Sequence, residues 1–158
     1  MFNCIIVGAD PAGSTAAYHL AKQGRSVLAL EKASLPRNKP CGDGVSGAIA
    51  HWLDFYLSPA ISLKANKISY AWKMQDQVKV EINSPMWMVQ RDIFDDFLIK
   101  KAQKTGAELR DSTEVKAIEF KKYLWEVKTN SEPVSGRYLI AADGACGPMT
   151  KGLRLKEP

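Results

Sequence analysis

The sequence predicts an α/β fold: an open parallel sheet that carries an antiparallel β insertion. Three observations predict it. The first 31 residues alternate strand, helix and strand patterns. From Lys67 the hydrophobic period changes from that of a helix to two. Near the end, Val134 to Ala142 forms an almost continuous apolar run of the kind that lies inside a parallel sheet.

The opening reads as strand Cys4 to Val7, turn Gly8 to Gly13, helix Pro11 to Gln23 with Gly24 as its stop, and strand Ser26 to Glu31. Within that helix Ala16, Ala17, Leu20 and Ala21 share one face, small enough for close packing on a sheet. Glycine and proline then gather between Pro36 and Gly47, where no regular element fits, and such a loop is a functional suspect. A helix is expected over Gly47 to Leu57. After it Ile68, Tyr70, Trp72 and Met74 fall on one face, and Val78, Val80 and Ile82 continue it beyond the turn Gln75-Asp76-Gln77, which makes a β-hairpin. A short strand Trp87 to Gln90 follows Pro85.

Asp92 is expected to cap the clearest helix, with Asp95 and Asp96 in its first turns, Lys100, Lys101 and Lys104 near its end and Gly106 as its stop. Each of these charges complements the helix dipole. Its apolar face is Phe94, Phe97, Leu98 and Ala102. Strands at Glu114 to Phe120, Tyr123 to Lys128 and Val134 to Ala142 complete the order, the last returning to the first sheet.

Composition narrows the function classes. The 158 residues suit one ordinary domain, and 46% hydrophobic with 25% charged residues excludes disordered and low-complexity classes. The balance of 22 Lys+Arg against 17 Asp+Glu leaves a net charge of +5, scattered and without a basic stripe, so nucleic acid is not an expected partner. No apolar run is long enough to cross a membrane as a helix. The first strand begins so near Met1 that no leader peptide is expected. Cys4, Cys41 and Cys146 contain no close pair, which argues against a disulfide framework or a thiolate metal site and for a cytoplasmic compartment. His19 and His51 read as structural.

The turn after the first strand carries the chemistry. Dinucleotide loops follow G-x-G-x-x-G: one glycine for the tight turn, one for close approach to the pyrophosphate, one for helix packing. Here those positions are Gly8, Asp10 and Gly13, so the middle glycine is an acid. Glu31 stands eighteen residues after Gly13, where a ribose-binding acid belongs. Asp10-Pro11 is a favourable helix opening. A carboxylate about 5 Å from a phosphate charge costs about 3 kcal/mol at an effective dielectric near 20, roughly two orders of magnitude in affinity. Asp10 is therefore expected to weaken ligand binding, and its side chain is a candidate occupant of the amides meant for phosphate.

Three segments together resemble a known family: Gly8-Ala9-Asp10-Pro11-Ala12-Gly13-Ser14, Pro36-Arg37-Asn38-Lys39-Pro40-Cys41-Gly42-Asp43-Gly44, and Ala142-Asp143-Gly144-Ala145. They look like the amino-terminal part of the geranylgeranyl reductases, flavoproteins of the p-hydroxybenzoate hydroxylase-like superfamily. The loop with Cys41 is the most specific of the three. The resemblance implies a Rossmann-like FAD-binding sheet of that superfamily's type with an antiparallel β insertion, incomplete relative to the family. Residues 1–158 would then be the FAD- and NAD(P)-binding front of a two-domain flavoprotein, with the carboxyl-terminal substrate region absent. Cys146-Gly147-Pro148-Met149 resembles the start of the next family turn.

It also implies roles. Gly8, Ala9, Pro11, Ala12, Gly13 and Ser14 would surround the FAD pyrophosphate, with Glu31 on the adenosine ribose and Lys32 beside it in sequence. Arg91 matches the family arginine near the cofactor, and Asp143 and Gly144 match the turn after the returning strand. Cys41 and Gly42 match the loop beside the flavin and the isoprenoid double bond and are the catalytic candidates. Asp43 fits either a polar neighbour or a plain turn residue.

The implied reaction adds hydrogen across C=C bonds of a prenyl chain, with NADPH or reduced ferredoxin as possible electron donor. Activity would need a complementing chain or a longer product. Two other readings stand beside it: a truncated, non-catalytic FAD-binding module, and an FAD-dependent aromatic hydroxylase relative. Membrane contact is at most peripheral, through the aromatic-rich segment Trp52 to Leu57, for which burial in the core is the competing explanation.

Overall fold

A computed structural model describes residues 1–153 apart from Gly42, Met74 and Cys146. The catalytic candidate Gly42, the hairpin-face residue Met74 and the third cysteine, Cys146, therefore lie outside the described residues. The chain divides into two compact units, residues 1–37 with 95–158 and residues 38–94.

In the first unit, strand β1 (Phe2–Val7) leads into helix α1 (Pro11–Lys22) and strand β2 (Val27–Leu30). β1 pairs in parallel with β2, and β2 in parallel with the short strand β6 (Glu108–Arg110), which the sequence pattern did not reveal. On its other side β1 pairs in parallel with β9 (Val134–Ala141), as the apolar run predicted. Two antiparallel strands, β8 (Leu124–Thr129) and β7 (Val115–Lys121), extend the sheet, giving the order β6-β2-β1-β9-β8-β7.

Alternation across β1 and β2 divides their apolar side chains between two faces. Ile5, Val7, Leu28 and Leu30 join Val115, Val127 and Met149 in one buried cluster. α1 packs on β1 and β2. Its buried positions are Gly13, Ser14, Ala17, Tyr18 and Ala21, so the expected face is rotated: Ala17 and Ala21 are on it, Ala16 and Leu20 at its margin. Gly13 and Ser14 are drawn inward because the loop before the helix presses against them. β9 is less enclosed than its composition suggests, since Tyr138 points to solvent. A short helix α3 (Pro148–Gly152) follows.

The second unit holds a three-stranded antiparallel sheet, β3 (Gly44–Ser46), β5 (Gln75–Met88) and β4 (Leu63–Trp72), in the order β3-β5-β4. Three sequence expectations change here. The helix expected over Gly47 to Leu57 is a 3-10 helix that stops at Trp52, with Ser46 Oγ accepting from the Ala48 amide at its start. Leu53 then turns extended, at φ −129° and ψ 133°; it is buried together with Leu57, while Trp52 and Tyr56 are exposed. Trp87 and Met88 belong to β5 rather than to a separate strand. Pro85 is tolerated because the pairing register shifts between Ala65 and Lys67, an irregularity of the kind in which a strand can lack a donor. The hairpin turn is also tighter than Gln75-Asp76-Gln77: Trp72 pairs with Gln75, and Lys73 adopts φ 48°.

Helix α2 (Arg91–Lys104) begins one residue before its expected cap, and Asp92 Oδ1 accepts from the Ile93 amide at 2.9 Å. Phe94, Leu98, Ile99 and Ala102 are buried on it. So is Asp95, which the sequence placed among the first-turn charges that complement the helix dipole; its partner is Arg37.

Candidate functional site

The first unit gathers its candidate residues at one end of the sheet. Gly8, Glu31 and the Ala142–Gly144 turn follow the carboxyl ends of β1, β2 and β9, three adjacent parallel strands. The chain leaves β1 toward β2 on one side and meets β9 on the other, and a crevice at such a switch point is where open α/β sheets bind ligands.

The loop geometry demands its two remaining glycines. Gly8 has φ 99°, and a Cβ there would lie 2.4 Å from the carbonyl oxygen of Ala142. A Cβ on Gly13 would lie 1.9 Å from the carbonyl oxygen of Gly8. The sequence therefore brings turn, helix and returning strand into backbone contact, as a dinucleotide loop requires.

Ser14 is fully buried; its Oγ donates to the Ala9 carbonyl at 2.8 Å and its amide to the Asp10 carbonyl at 2.9 Å. Its role is to hold the loop, while Pro11 occupies the first helical turn and Ala12 faces solvent. Glu31 is buried, and its carboxylate accepts from the Ala9 amide at 3.0 Å and from the Ala33 amide at 3.1 Å. It thus ties β2 to the loop after β1. A carboxylate has about four acceptor positions, so capacity for a ribose hydroxyl remains. Lys32 is exposed.

Asp10 behaves differently from expectation. Its backbone is the N-cap of α1, but its side chain makes no capping hydrogen bond, so it does not occupy the amides of the loop. The carboxylate instead pairs with the Arg37 guanidinium. Arg37 also lies 3.5 Å from Glu31 Oε1 and 3.4 Å from Asp95 Oδ2, which explains why Asp95 is buried. The segment that delivers Arg37 is stitched to the residues after β6. Thr113 donates its amide to the Glu31 carbonyl, Ser112 to that of Ala33, and Leu35 to Asp111 Oδ2. Arg37 is the residue that sequence reasoning missed; the only signal was an acid in a phosphate loop with no stated counter-ion.

Asp143 lies beside Gly8, and its Oδ2 accepts from the Met149 amide at 3.0 Å. This contact fixes the turn leading to α3. Gly144 adopts φ 91° with open space around it.

In the second unit Cys41 is exposed and lies with Arg91 and Asp43. Asp43 adopts φ 54°, and its carbonyl accepts from the Val89 amide at 2.9 Å, which pins the loop to the segment just before α2. The backbone amide of Asp43, and next the Arg91 side chain, hold the Cys41 thiol below its ordinary pKa. Burial pushes the Cys4 thiol the other way. In a Cys146→Ser background, iodoacetamide at pH 7 is expected to label Cys41 well before Cys4. Arg91→Gln is expected to move the labelling profile of Cys41 to higher pH; an unchanged profile would remove Arg91 from the thiol's surroundings.

The same unit contains a cavity of about 400 Å³ lined by Leu53, Phe55, Tyr56, Leu57, Lys64 and Trp87 among others, with Lys64 Nζ 5.4 Å from the centre of a Trp87 ring. The aromatic-rich segment is thus divided. Leu53 and Leu57 are core, whereas Trp52 and Tyr56 are 73% and 89% exposed. No helix among the described residues is long and apolar enough to cross a membrane.

Parallel strands at the centre of a mixed sheet, with a glycine-dependent loop and a buried acid at adjacent strand ends, define a Rossmann-like dinucleotide-binding protein. The chain belongs to the FAD binding domain family, which it matches over residues 1–157, and its cofactor is FAD. It is 33% identical to digeranylgeranylglycerophospholipid reductase 2 of Methanopyrus kandleri over 90% of this chain and 37% of that protein. It is also 33% identical to a menaquinone reductase of Mycobacterium tuberculosis, over 94% of this chain and 39% of that one. Among solved structures, a geranylgeranyl bacteriochlorophyll reductase-like protein of Thermoplasma acidophilum superposes with a TM-score of 0.80 at 25% identity, covering 98% of this chain and 42% of that one. The chain therefore spans about two-fifths of the length of these relatives.

Proposed function

We propose that residues 1–158 form the cofactor-binding front of an FAD-dependent reductase of the geranylgeranyl type, which saturates C=C bonds of a prenyl chain. The observation that carries the reading is the conjunction of a glycine-locked diphosphate loop with the Cys41–Arg91 cluster in the loop most specific to those reductases. The names of the similar reductases support it.

In this reading Gly8, Ala9, Pro11, Ala12, Gly13 and Ser14 form the loop around the diphosphate at the amino end of α1, where the first helical turn and the helix dipole favour an anion, while the amides of Gly8, Ala9 and Ser14 serve the loop itself. Glu31 receives the adenosine ribose, with Lys32 a solvent-side cation near it. Asp143 and Gly144 shape the turn against Gly8. Arg91 stands by the cofactor, and Cys41 and Gly42 flank the reacting alkene. Bound FAD, once reduced, supplies the hydride for the double bond. The chain's own task is to hold and orient apolar substrate and to exclude water. Exposed Trp52 and Tyr56 give the second unit an apolar surface for peripheral contact with a lipid membrane. The electron donor is NADPH or reduced ferredoxin.

A second reading, favoured by the acid at position 10 of the phosphate loop, is a truncated, non-catalytic FAD-binding module. Anaerobic incubation of the chain with FAD, dithionite and a geranylgeranyl lipid, followed by mass spectrometry, separates the two. Gain of two hydrogens per double bond supports the reductase. An unchanged lipid on a flavin-loaded chain supports the module. An aromatic substrate that gains oxygen when the chain is supplied with NADPH and O2 would contradict both in favour of a hydroxylase.

A further inference from the structure

Arg37 stands among three carboxylates, those of Asp10, Glu31 and Asp95, with its side chain 14% exposed and that of Asp10 21% exposed. Glu31 and Asp95 are themselves buried, so they hold the guanidinium in place whether or not Asp10 is present. Asp10, by contrast, sits at the position where a dinucleotide loop otherwise carries a glycine so that a phosphate can approach. Its backbone, at φ −63° and ψ 173°, is unstrained for any L residue, so the acid brings a problem of charge rather than of conformation.

We propose that Asp10 and Arg37 act as one unit in cofactor binding: Arg37 is a positioning residue that neutralises the Asp10 carboxylate and thereby lets an acid occupy the phosphate loop. The inference rests on the reading of Gly8 to Ser14 as the diphosphate cradle. It replaces the expectation that Asp10 alone sets a weak affinity. With the guanidinium in place, its positive charge offsets part of the field of Asp10 at the diphosphate, although Glu31 and Asp95 share that charge. Without it, that offset is lost and the repulsion between the Asp10 carboxylate and the diphosphate rises.

The test is a double-mutant cycle on the full chain, read by FAD dissociation constants and by melting temperature without flavin. Asp10→Gly in the wild-type background is expected to change FAD affinity by less than about tenfold, and Arg37→Gln to weaken it by about a hundredfold. Asp10→Gly introduced into Arg37→Gln is expected to restore most of that loss. A merely structural Arg37 would lower the melting temperature, yet Asp10→Gly would then restore no flavin affinity; that result overturns the proposal. If Arg37→Gln does not fold, Arg37→Lys with Asp10→Asn completes the cycle, and additive effects on FAD affinity overturn the pairing. A wild-type chain that takes up no FAD overturns the cradle reading instead. The proposal falls with it, and the melting-temperature cycle then reports only whether the two side chains are coupled in the flavin-free fold.

Discussion

Gly13→Ala is expected to lower the melting temperature by roughly 10 °C, from a loss of about 3 kcal/mol and the usual 2–4 °C per kcal/mol for a chain of this size. It should also abolish FAD retention. Glycine to alanine inside a helix ordinarily gains up to about 1 kcal/mol. Here that gain is overwhelmed, because the new Cβ would lie 1.9 Å from the Gly8 carbonyl oxygen and 3.3 Å from Ala142 Cβ. The obstacle is backbone, so no rotamer change relieves it. Either α1 moves away from the loop or the turn at Gly8 opens, and both alter the cradle. A thermal melt of the two proteins with and without FAD checks the expectation. A variant within about 2 °C of the wild type would mean that the loop is looser than its geometry indicates.

The second large effect is expected at Glu31. Replacing it with alanine removes the acceptor of the buried Ala9 amide and of the Ala33 amide, and takes from Arg37 one of its three carboxylates. An orphaned buried donor costs about 1–3 kcal/mol, and loss of a charge partner adds to it, so Glu31→Ala is expected to cost about 3 kcal/mol in total. Glu31→Gln keeps one carbonyl oxygen for an amide and should cost clearly less. Urea unfolding measures both. Because Glu31 ties β2 to the loop after β1, FAD affinity should fall in the same order, alanine below glutamine. Equal stability of the alanine variant and the wild type would show that the two amides find other acceptors.

The parts of this fold that were legible are those where one local pattern decides. The βαβ opening, the hairpin from Lys67 and the return of Val134 to Ala142 beside β1 all follow from period and apolar runs. What stayed hidden depends on partners far apart in sequence. β6 is only three residues long and exists because Leu28 to Leu30 offer it an edge. The spacing of Leu53 and Leu57, four apart, fits one face of a helix, and nothing in that local pattern marks the extended turn at Leu53 where the 3-10 helix stops.

The site shows the same division. Gly8, Gly13 and Glu31 could be placed from spacing alone, and Asp143 and Gly144 by resemblance, and the structure brings all five to adjacent strand ends. Asp10 could be recognised as an anomaly but not resolved. Its counter-ion lies twenty-seven residues away in a loop whose path is set by Leu35, Ala33 and Glu31 bonding to residues 111–113. No periodicity reports a contact of that kind. Burial of Asp95 was missed for the same reason: on the helix it looks like a charge for the dipole, and only Arg37 makes it a core residue.

In the proposed reading the loop after β1, with Glu31 at the end of β2, holds the diphosphate and adenosine ribose of FAD despite the acid at position 10. Calorimetric titration of the wild-type chain with FAD and, separately, with FMN tests it most directly, because FMN carries the flavin without the adenosine half. One-to-one binding of FAD is expected, with at least about tenfold preference over FMN, since both the cradle and Glu31 address the part that FMN lacks. Equal affinity for the two, or no uptake of FAD, would contradict it.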